Sequence, residues 1–216
     1  MTTQLQSSTS SRRGFLRKGC LTAAAVGLTV CGGAALAATY QPNIDFPTIS
    51  SGDDTVNNRT LIAYASKAGS TAEIAAKIGE TITKQGQAVD VLPVAKVTDL
   101  SLYSAVILGS AIRVGQLLPE AMKFLQANQA ALAQKKFSAF IVCMTLKDDT
   151  EANRQTVSAY LDPVRALVKP ASEGLFAGVM DLGKLPLFER LMIKMMKAPE
   201  GDFRKWDAIQ AWAGAF

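Results

Sequence analysis

The sequence predicts an α/β protein with one doubly wound, five-stranded parallel sheet in the strand order 2-1-3-4-5. Two observations lead to this fold class. Short, almost uninterrupted apolar runs alternate with helix-length amphipathic segments, as expected for strands that helices cover on both faces. Residues 59–216, which carry this pattern, are enough for one domain with a substantial core. We therefore expect a single domain over residues 59–216.

The predicted strands and helices follow one another along this region. In chain order they are strand 61–65, helix 72–85, strand 88–92, a short helix 98–102, strand 105–109, helix 119–133, strand 137–145, helix 151–168, strand 174–180 and helix 203–213. A sheet of this order binds its ligand beyond the carboxyl ends of the first and third strands. The segments that follow those strands are therefore the candidate site.

The segment after the first strand has the composition of a phosphate-binding turn. Ser66, Ser70 and Thr71 place hydroxyls around Gly69, and a helix follows at once. The backbone N–H groups and the positive helix end suit a phosphate. The spacing matches neither G-x-x-x-x-G-K-[ST] nor G-x-G-x-x-G, which leaves a mononucleotide phosphate as the better prediction. The alternative is an ordinary turn between a strand and a helix.

Two further segments lie at the same predicted edge. Residues 109–115, GSAIRVG, follow the third strand, and residues 143–149, CMTLKDD, follow the fourth. Arg113 is either a ligand contact or a solvated loop charge. Lys147 either contacts the ligand or pairs with the acidic start of the next helix.

The N-terminal residues resemble an export signal. SRRGFLRK at residues 11–18 resembles the twin-arginine signal, and an apolar run ends in the small-residue site Ala35-Leu36-Ala37. We expect a twin-arginine signal peptide at residues 1–37, with lipidation at Cys31 as the alternative to cleavage. Residues 38–58 are polar and aperiodic, which predicts a flexible linker. The predicted destination is the periplasm or the outer face of the cytoplasmic membrane, and the twin-arginine translocase is the expected partner during export.

Composition excludes several function classes. Four of the 23 basic residues and none of the 18 acidic ones lie in residues 1–37, so cleavage would leave a net charge of +1 instead of +5. No basic stripe remains for nucleic acid. The chain has no histidine, which excludes histidine acid–base chemistry, and Cys143 would be the one cysteine after cleavage. We expect no disulfide and no metal site.

Three segments resemble the flavodoxin-domain family, in particular the branch that includes menaquinone-dependent protoporphyrinogen oxidase. They are ILGSAIRVG at 107–115, FERLMIKMM at 188–196 and DFRKWD at 202–207. The resemblance implies a flavodoxin-like fold and FMN as cofactor, with Arg113 as the candidate catalytic residue. The implied cofactor contacts are Ser66, Lys67, Ala68, Gly69, Ser70, Thr71, Ser110, Ala111, Ile112, Arg113, Gly115, Thr145, Leu146 and Lys147.

The predicted function is that of an exported FMN oxidoreductase linked to a membrane quinone or a respiratory redox partner. A non-enzymatic electron carrier or a binding module for a protein is the alternative. Residues 187–196 form an amphipathic stretch that predicts either peripheral membrane contact or a lid helix packed on the sheet. Trp206 and Trp212 are expected to be core anchors rather than groups that stack on the flavin.

Overall fold

The computed structural model describes residues 46–52, 59–195 and 198–216. Its strands are β1 (Ile49–Ser51), β2 (Arg59–Ala65), β3 (Val89–Pro93), β4 (Tyr103–Arg113), β5 (Gln116–Leu117), β6 (Lys136–Val142), β7 (Glu173–Phe176), β8 (Val179–Met180) and β9 (Gly201–Asp202). Its α-helices are α1 (Ser70–Lys84), α2 (Pro119–Ala127), α3 (Gln129–Leu132), α4 (Glu151–Ala159), α5 (Asp162–Leu167), α6 (Leu187–Met195) and α7 (Trp206–Gly214). Helix α6 belongs to a separate compact unit.

The central sheet confirms the predicted strand order. Its parallel strands run β3-β2-β4-β6-β7, which is the arrangement 2-1-3-4-5. Every residue of β2 is buried because strands lie on both sides of it and helices cover both faces. Leu61 and Ala63 face one hydrophobic core, and Ile62 and Tyr64 face the other. The alternation of side chains along one strand thus supplies both cores.

The structure differs from the predicted linker at its end. Ile49–Ser51 forms β1, which pairs antiparallel with β3 at the edge of the sheet. Phe46 and Ile49 pack against the core, and the Tyr64 hydroxyl donates a hydrogen bond to the Pro47 carbonyl at 2.7 Å. Side chains far along the chain therefore hold β1 in place, and a local sequence pattern does not reveal such contacts.

A buried ion pair also holds β1. Arg59 is 5% exposed, and its guanidinium bonds both carboxylate oxygens of Asp90 on β3. Ser50 donates to the same carboxylate at 2.6 Å and the Tyr103 hydroxyl donates at 2.9 Å. Burial and the Asp90 carboxylate raise the pKa of Tyr103 to about 12. This network joins β1, β2, β3 and β4 at the end of the sheet opposite the candidate site.

Several predicted elements end or divide differently. The predicted helix 98–102 is wrong, because the Asp99 carboxylate accepts the Ser101 N–H and closes a local turn instead. The predicted helix 119–133 divides at Asn128 into α2 and α3, and helix 151–168 divides before Pro163 into α4 and α5. Proline lacks the N–H that would continue α4. The predicted strand 174–180 divides into β7 and β8, on either side of Ala177 and Gly178.

Residues 1–37, the predicted signal, lie outside the described residues. Within the described residues, no helix has the length and apolar character needed to cross a membrane.

Candidate functional site

The carboxyl ends of β2 and β6 lie level with Ser110 of β4. Ala65 of β2 pairs with Ser110 of β4, and Ser110 pairs with Ile141 of β6. The segments that leave these strands therefore start from one edge of the sheet, as the sequence predicts.

The first segment is a tight loop that leads into α1. The Gly69 N–H donates to the Ser66 hydroxyl at 3.1 Å, and Gly69 has φ +92°, a conformation that side chains rarely adopt. No side chain of the described residues caps the first turn of α1. The Thr71 hydroxyl is fully buried there and has no hydrogen-bond partner among those residues. The loop thus presents uncapped N–H groups and a buried hydroxyl at one helix end.

Two residues outside the predicted site, Gly178 and Glu120, lie next to this loop. A Cβ on Gly178, which follows β7, would lie 3.2 Å from the Ser70 hydroxyl. A Val142 side-chain carbon would lie still closer, at 2.9 Å, so the absence of a side chain at Gly178 leaves room for both Val142 and Ser70, a role that sequence analysis missed. Lys67 is an exposed residue and forms an ion pair with Glu120 of α2 at 3.2 Å.

The second segment is not the loop that the sequence predicts. Strand β4 continues through Ser110, Ala111, Ile112 and Arg113, then turns at Val114 and Gly115 into β5. The buried Ser110 hydroxyl accepts the Leu118 N–H at 3.0 Å and donates to the Ala111 carbonyl at 2.9 Å. Ser110 therefore closes the hairpin within the protein, and its hydroxyl is engaged there.

The tip of this hairpin combines backbone strain with exposure. Val114 has φ +50° and Gly115 has φ +73°, which match a two-residue turn of type I′. A positive φ is unfavourable for a β-branched residue such as Val114. Because the Val114 side chain is fully exposed, no apolar packing compensates for this strain. A Cβ on Gly115 would lie 3.5 Å from the Tyr160 ring. Tyr160, which sequence analysis missed, is the aromatic residue beside this hairpin. Arg113 is half-buried at its base.

The third segment follows β6, and most of its groups contact other residues of the protein. Met144–Lys147 forms one 3-10 turn, and the Leu146 side chain is buried in the core. The Thr145 carbonyl accepts a hydrogen bond from the Asn153 side chain at 3.2 Å. Lys147 pairs with Asp148, which is the alternative that the sequence left open. Among these residues Thr145 retains a hydroxyl at the sheet edge, beside the buried thiol of Cys143 at 3.4 Å.

A family model described as a flavodoxin domain matches residues 61–207. The chain belongs to the flavodoxin domain family. The matched residues include all three segments at the sheet edge. No curated protein matches this flavodoxin-domain chain.

Solved structures similar to this flavodoxin domain include three flavodoxins. One from the domain Archaea is 17% identical, with a TM-score of 0.46 over 73% of this chain and 94% of that one. Flavodoxin 2 of Bacillus cereus is 24% identical, with a TM-score of 0.41 over 56% and 84% of the two chains. The flavodoxin of Megasphaera elsdenii is 16% identical, with a TM-score of 0.44 over 73% and 99%.

Membership of this family indicates FMN as the cofactor, and the first segment fits an FMN phosphate. A buried hydroxyl that lacks a partner is costly unless a ligand completes it, and Thr71 is such a group. The uncapped start of α1 offers N–H donors beside it. Contact of the individual residues Ser66–Thr71, Ser110–Gly115 and Thr145–Lys147 with FMN stays a prediction. Within the described residues, no cluster of acidic, cysteine or histidine side chains suits a metal ion.

The first turn of α1 also takes part in an ion-pair cluster, which we call the clasp. It consists of Glu73, Lys184, Asp202 and Arg204. Arg204 bonds Glu73 through one guanidinium nitrogen and Asp202 through the other two, at 2.6 and 2.9 Å. Lys184 lies 3.5 Å from the Glu73 carboxylate. The clasp connects α1 with β9 and with the segment before α7.

The Arg204 side chain is nearly buried, with 9% exposed, and it lies over the Trp206 ring at 4.4 Å. Burial by itself would lower the pKa of Arg204, but the hydrogen bonds to Asp202 and Glu73 outweigh it and raise this pKa. The same Arg204 hydrogen bonds hold the pKa of Asp202 below its usual value. Asp202 and Arg204 are separated from Glu73 by more than a hundred positions, so no local sequence pattern indicates the pairing.

The two tryptophans occupy different positions. Trp212 packs edge-on against Phe140 and Phe176 at 6.2 and 5.8 Å between ring centroids, which agrees with the predicted core role. Trp206 packs against the same core and lines a groove of about 550 Å³ beside α1 and β3. The groove lies along the flank of α1 and is lined by no residue of the three edge segments.

Proposed function

We propose that this flavodoxin-domain protein is an exported FMN oxidoreductase that passes electrons between a reduced small molecule and a membrane quinone or respiratory partner. The observation that supports FMN binding at this edge is the buried hydroxyl of Thr71, which lies at an uncapped helix start and has no hydrogen-bond partner among the described residues. Bound FMN supplies the redox chemistry by accepting and releasing electrons and protons. Residues 66–71 hold its phosphate and fix its place at the sheet edge.

Arg113 supports the assignment to quinone-range chemistry. Its half-buried side chain lies at the base of the hairpin on the edge where the ring would be placed. A positive charge about 5 Å from a reduced, anionic ring contributes roughly 3 kcal/mol at an effective dielectric constant near 20. This energy would raise the midpoint potential of the flavin by roughly 100 mV for a one-electron step. The resemblance of residues 107–115 to the family branch that includes menaquinone-dependent protoporphyrinogen oxidase also supports a quinone as the electron acceptor.

Helix α6 supports contact with a membrane surface, the setting of a quinone. Leu187, Phe188, Leu191, Met192 and Met195 are each 45% to 75% exposed, and none of its residues is buried. Lys194 and Arg190 add positive charge to the same short helix. Such a helix suits an anionic lipid surface. Met196, the last residue of the predicted contact, lies outside the described residues.

Export is tested on the precursor. The twin-arginine pair at Arg12 and Arg13 would direct the folded domain to the twin-arginine translocase, which fits a cofactor loaded before transport. Arg12→Lys combined with Arg13→Lys should trap the precursor in the cytoplasm. Mature protein in the periplasm at the wild-type level would contradict export by this route.

A visible spectrum and a quinone assay test the redox function. The purified protein should show flavin absorbance or acquire it with FMN, and reduced flavin should be reoxidised by a menaquinone analogue. Reoxidation by a protein partner alone would favour the electron carrier. A protein that stays colourless after incubation with FMN would favour the binding module.

A further inference from the structure

The clasp lies next to the proposed phosphate site because of where Glu73 is placed on α1. The Glu73 N–H donates to the Gly69 carbonyl at 3.0 Å, so the two residues are one helical turn apart. Residues four apart lie on the same helix face, and helical side chains lean toward the N-terminus. Glu73 therefore lies in the first turn of α1, one turn from the loop that would hold the phosphate.

A carboxylate in this place is favourable for the helix and unfavourable for the ligand. The positive end of the α1 dipole stabilises Glu73 in the first turn when no anion is bound. A phosphate at the same end brings a second negative charge close to the carboxylate. The two charges repel each other unless a cation neutralises one of them.

Arg204 is placed to provide this cation. It is nearly buried, it bonds Glu73 directly, and its remaining nitrogens are fixed by Asp202. Lys184 also approaches Glu73, but at 3.5 Å and with 42% of its side chain exposed. A nearly buried guanidinium is screened by water less than an exposed ammonium, so Arg204 is the dominant partner.

We propose that Arg204 is a positioning residue for FMN. Arg204 neutralises Glu73 and thereby permits a phosphate to bind at the start of α1. This inference rests on the proposed FMN site and assigns a role to residues beyond the three edge segments. The effect of Arg204 should depend on the phosphate, so it should be seen with FMN and be absent with riboflavin, which lacks the phosphate.

The experiment measures dissociation constants of FMN and riboflavin by flavin fluorescence for the apoprotein and its variants. Arg204→Gln should weaken FMN about tenfold, the size expected of a like charge near the phosphate in a partly solvated setting. Riboflavin binding should stay within twofold. Arg204→Lys should retain part of the FMN affinity, and Glu73→Gln combined with Arg204→Gln should recover most of it.

Arg165→Gln is the matched control. Arg165 also bonds two carboxylates, Asp162 and Glu173, but neither belongs to the three edge segments or to the clasp. Its replacement removes the same charge and should leave FMN affinity unchanged. Glu73→Gln by itself should tighten FMN and leave riboflavin unchanged, which provides the test if Arg204→Gln does not fold.

Three results would overturn the inference: equal FMN affinity in Arg204→Gln and wild type, an equal loss of FMN and riboflavin, or a double variant no better than Arg204→Gln. If Glu73→Gln has to provide the test, unchanged FMN affinity in that variant has the same consequence. Failure of the FMN site itself is distinguishable, because the wild-type protein would then bind neither flavin.

Discussion

Replacing the Thr71 hydroxyl by a methyl group should change stability and FMN affinity in opposite directions. The Thr71→Val side chain has nearly the same shape, and Thr71 is fully buried in α1. In the apoprotein the hydroxyl has no partner among the described residues, and such a group costs about 1 to 3 kcal/mol. Its removal should therefore raise the free energy of unfolding of the apoprotein by about 1 kcal/mol.

With FMN the same substitution should be unfavourable. A hydrogen bond from a hydroxyl to a charged phosphate contributes about 1.5 to 3 kcal/mol. Its loss corresponds to roughly 10- to 150-fold weaker FMN binding. Urea unfolding of the apoprotein gives the first quantity, and fluorescence titration with FMN gives the second.

Thr81→Val provides the control on the same helix. The Thr81 hydroxyl already donates to the Lys77 carbonyl at 2.9 Å, so the substitution removes a satisfied group. It should lower stability slightly or leave it unchanged, with no effect on FMN. Our assignment of the phosphate site would be refuted if Thr71→Val destabilised the apoprotein and bound FMN as tightly as wild type.

Three further predictions concern other parts of the domain. Gly69→Val should weaken FMN binding at least about tenfold in a titration, because φ +92° is strained for valine by about 1 to 3 kcal/mol and a side chain would approach the phosphate; wild-type affinity would argue against this loop. Arg113→Gln should lower the flavin midpoint potential by tens of millivolts in a spectroelectrochemical titration, and an unchanged potential would assign Arg113 to a solvated surface. Burial alone would raise the pKa of Asp90, but hydrogen bonds from Arg59, Ser50 and Tyr103 hold this pKa below its usual value. A depressed carboxyl pKa contributes stability above the unfolded-state pKa and loses it as the pH falls through the folded-state pKa, so urea unfolding should become easier below about pH 4, and less steeply so in Asp90→Asn.

The sheet order could be predicted because it depends on local patterns. Residues 61–65 form an uninterrupted apolar run and residues 137–142 are apolar except for Ser138, and a strand buried on both faces requires such nearly continuous runs. The loop around Gly69 was predicted for the same reason, since its small residues, its hydroxyls and the following helix are neighbours in sequence. Its geometry also needs only a few consecutive dihedral angles.

The hairpin after the third parallel strand could not be predicted from Gly109 and Ser110, which have the composition of a turn. Gly109 lies inside β4, where a Cβ would come within 2.2 Å of the Phe140 ring. This glycine therefore serves close packing against β6 rather than a change of chain direction. The pairing of Arg204 with Glu73 was missed for a similar reason, because it depends on residues that only the folded chain brings together.

The short strand β1 has a consequence for how this protein behaves at high concentration. It occupies the hydrogen-bonding edge of β3, which would otherwise present unpaired backbone groups to other molecules. A variant that detaches β1, for example by loss of the Arg59 to Asp90 ion pair, would expose a ready template for strand addition between copies. By this reasoning, β1 shields the outer edge of β3 from strand addition between copies, in addition to the packing of Ile49 against the core.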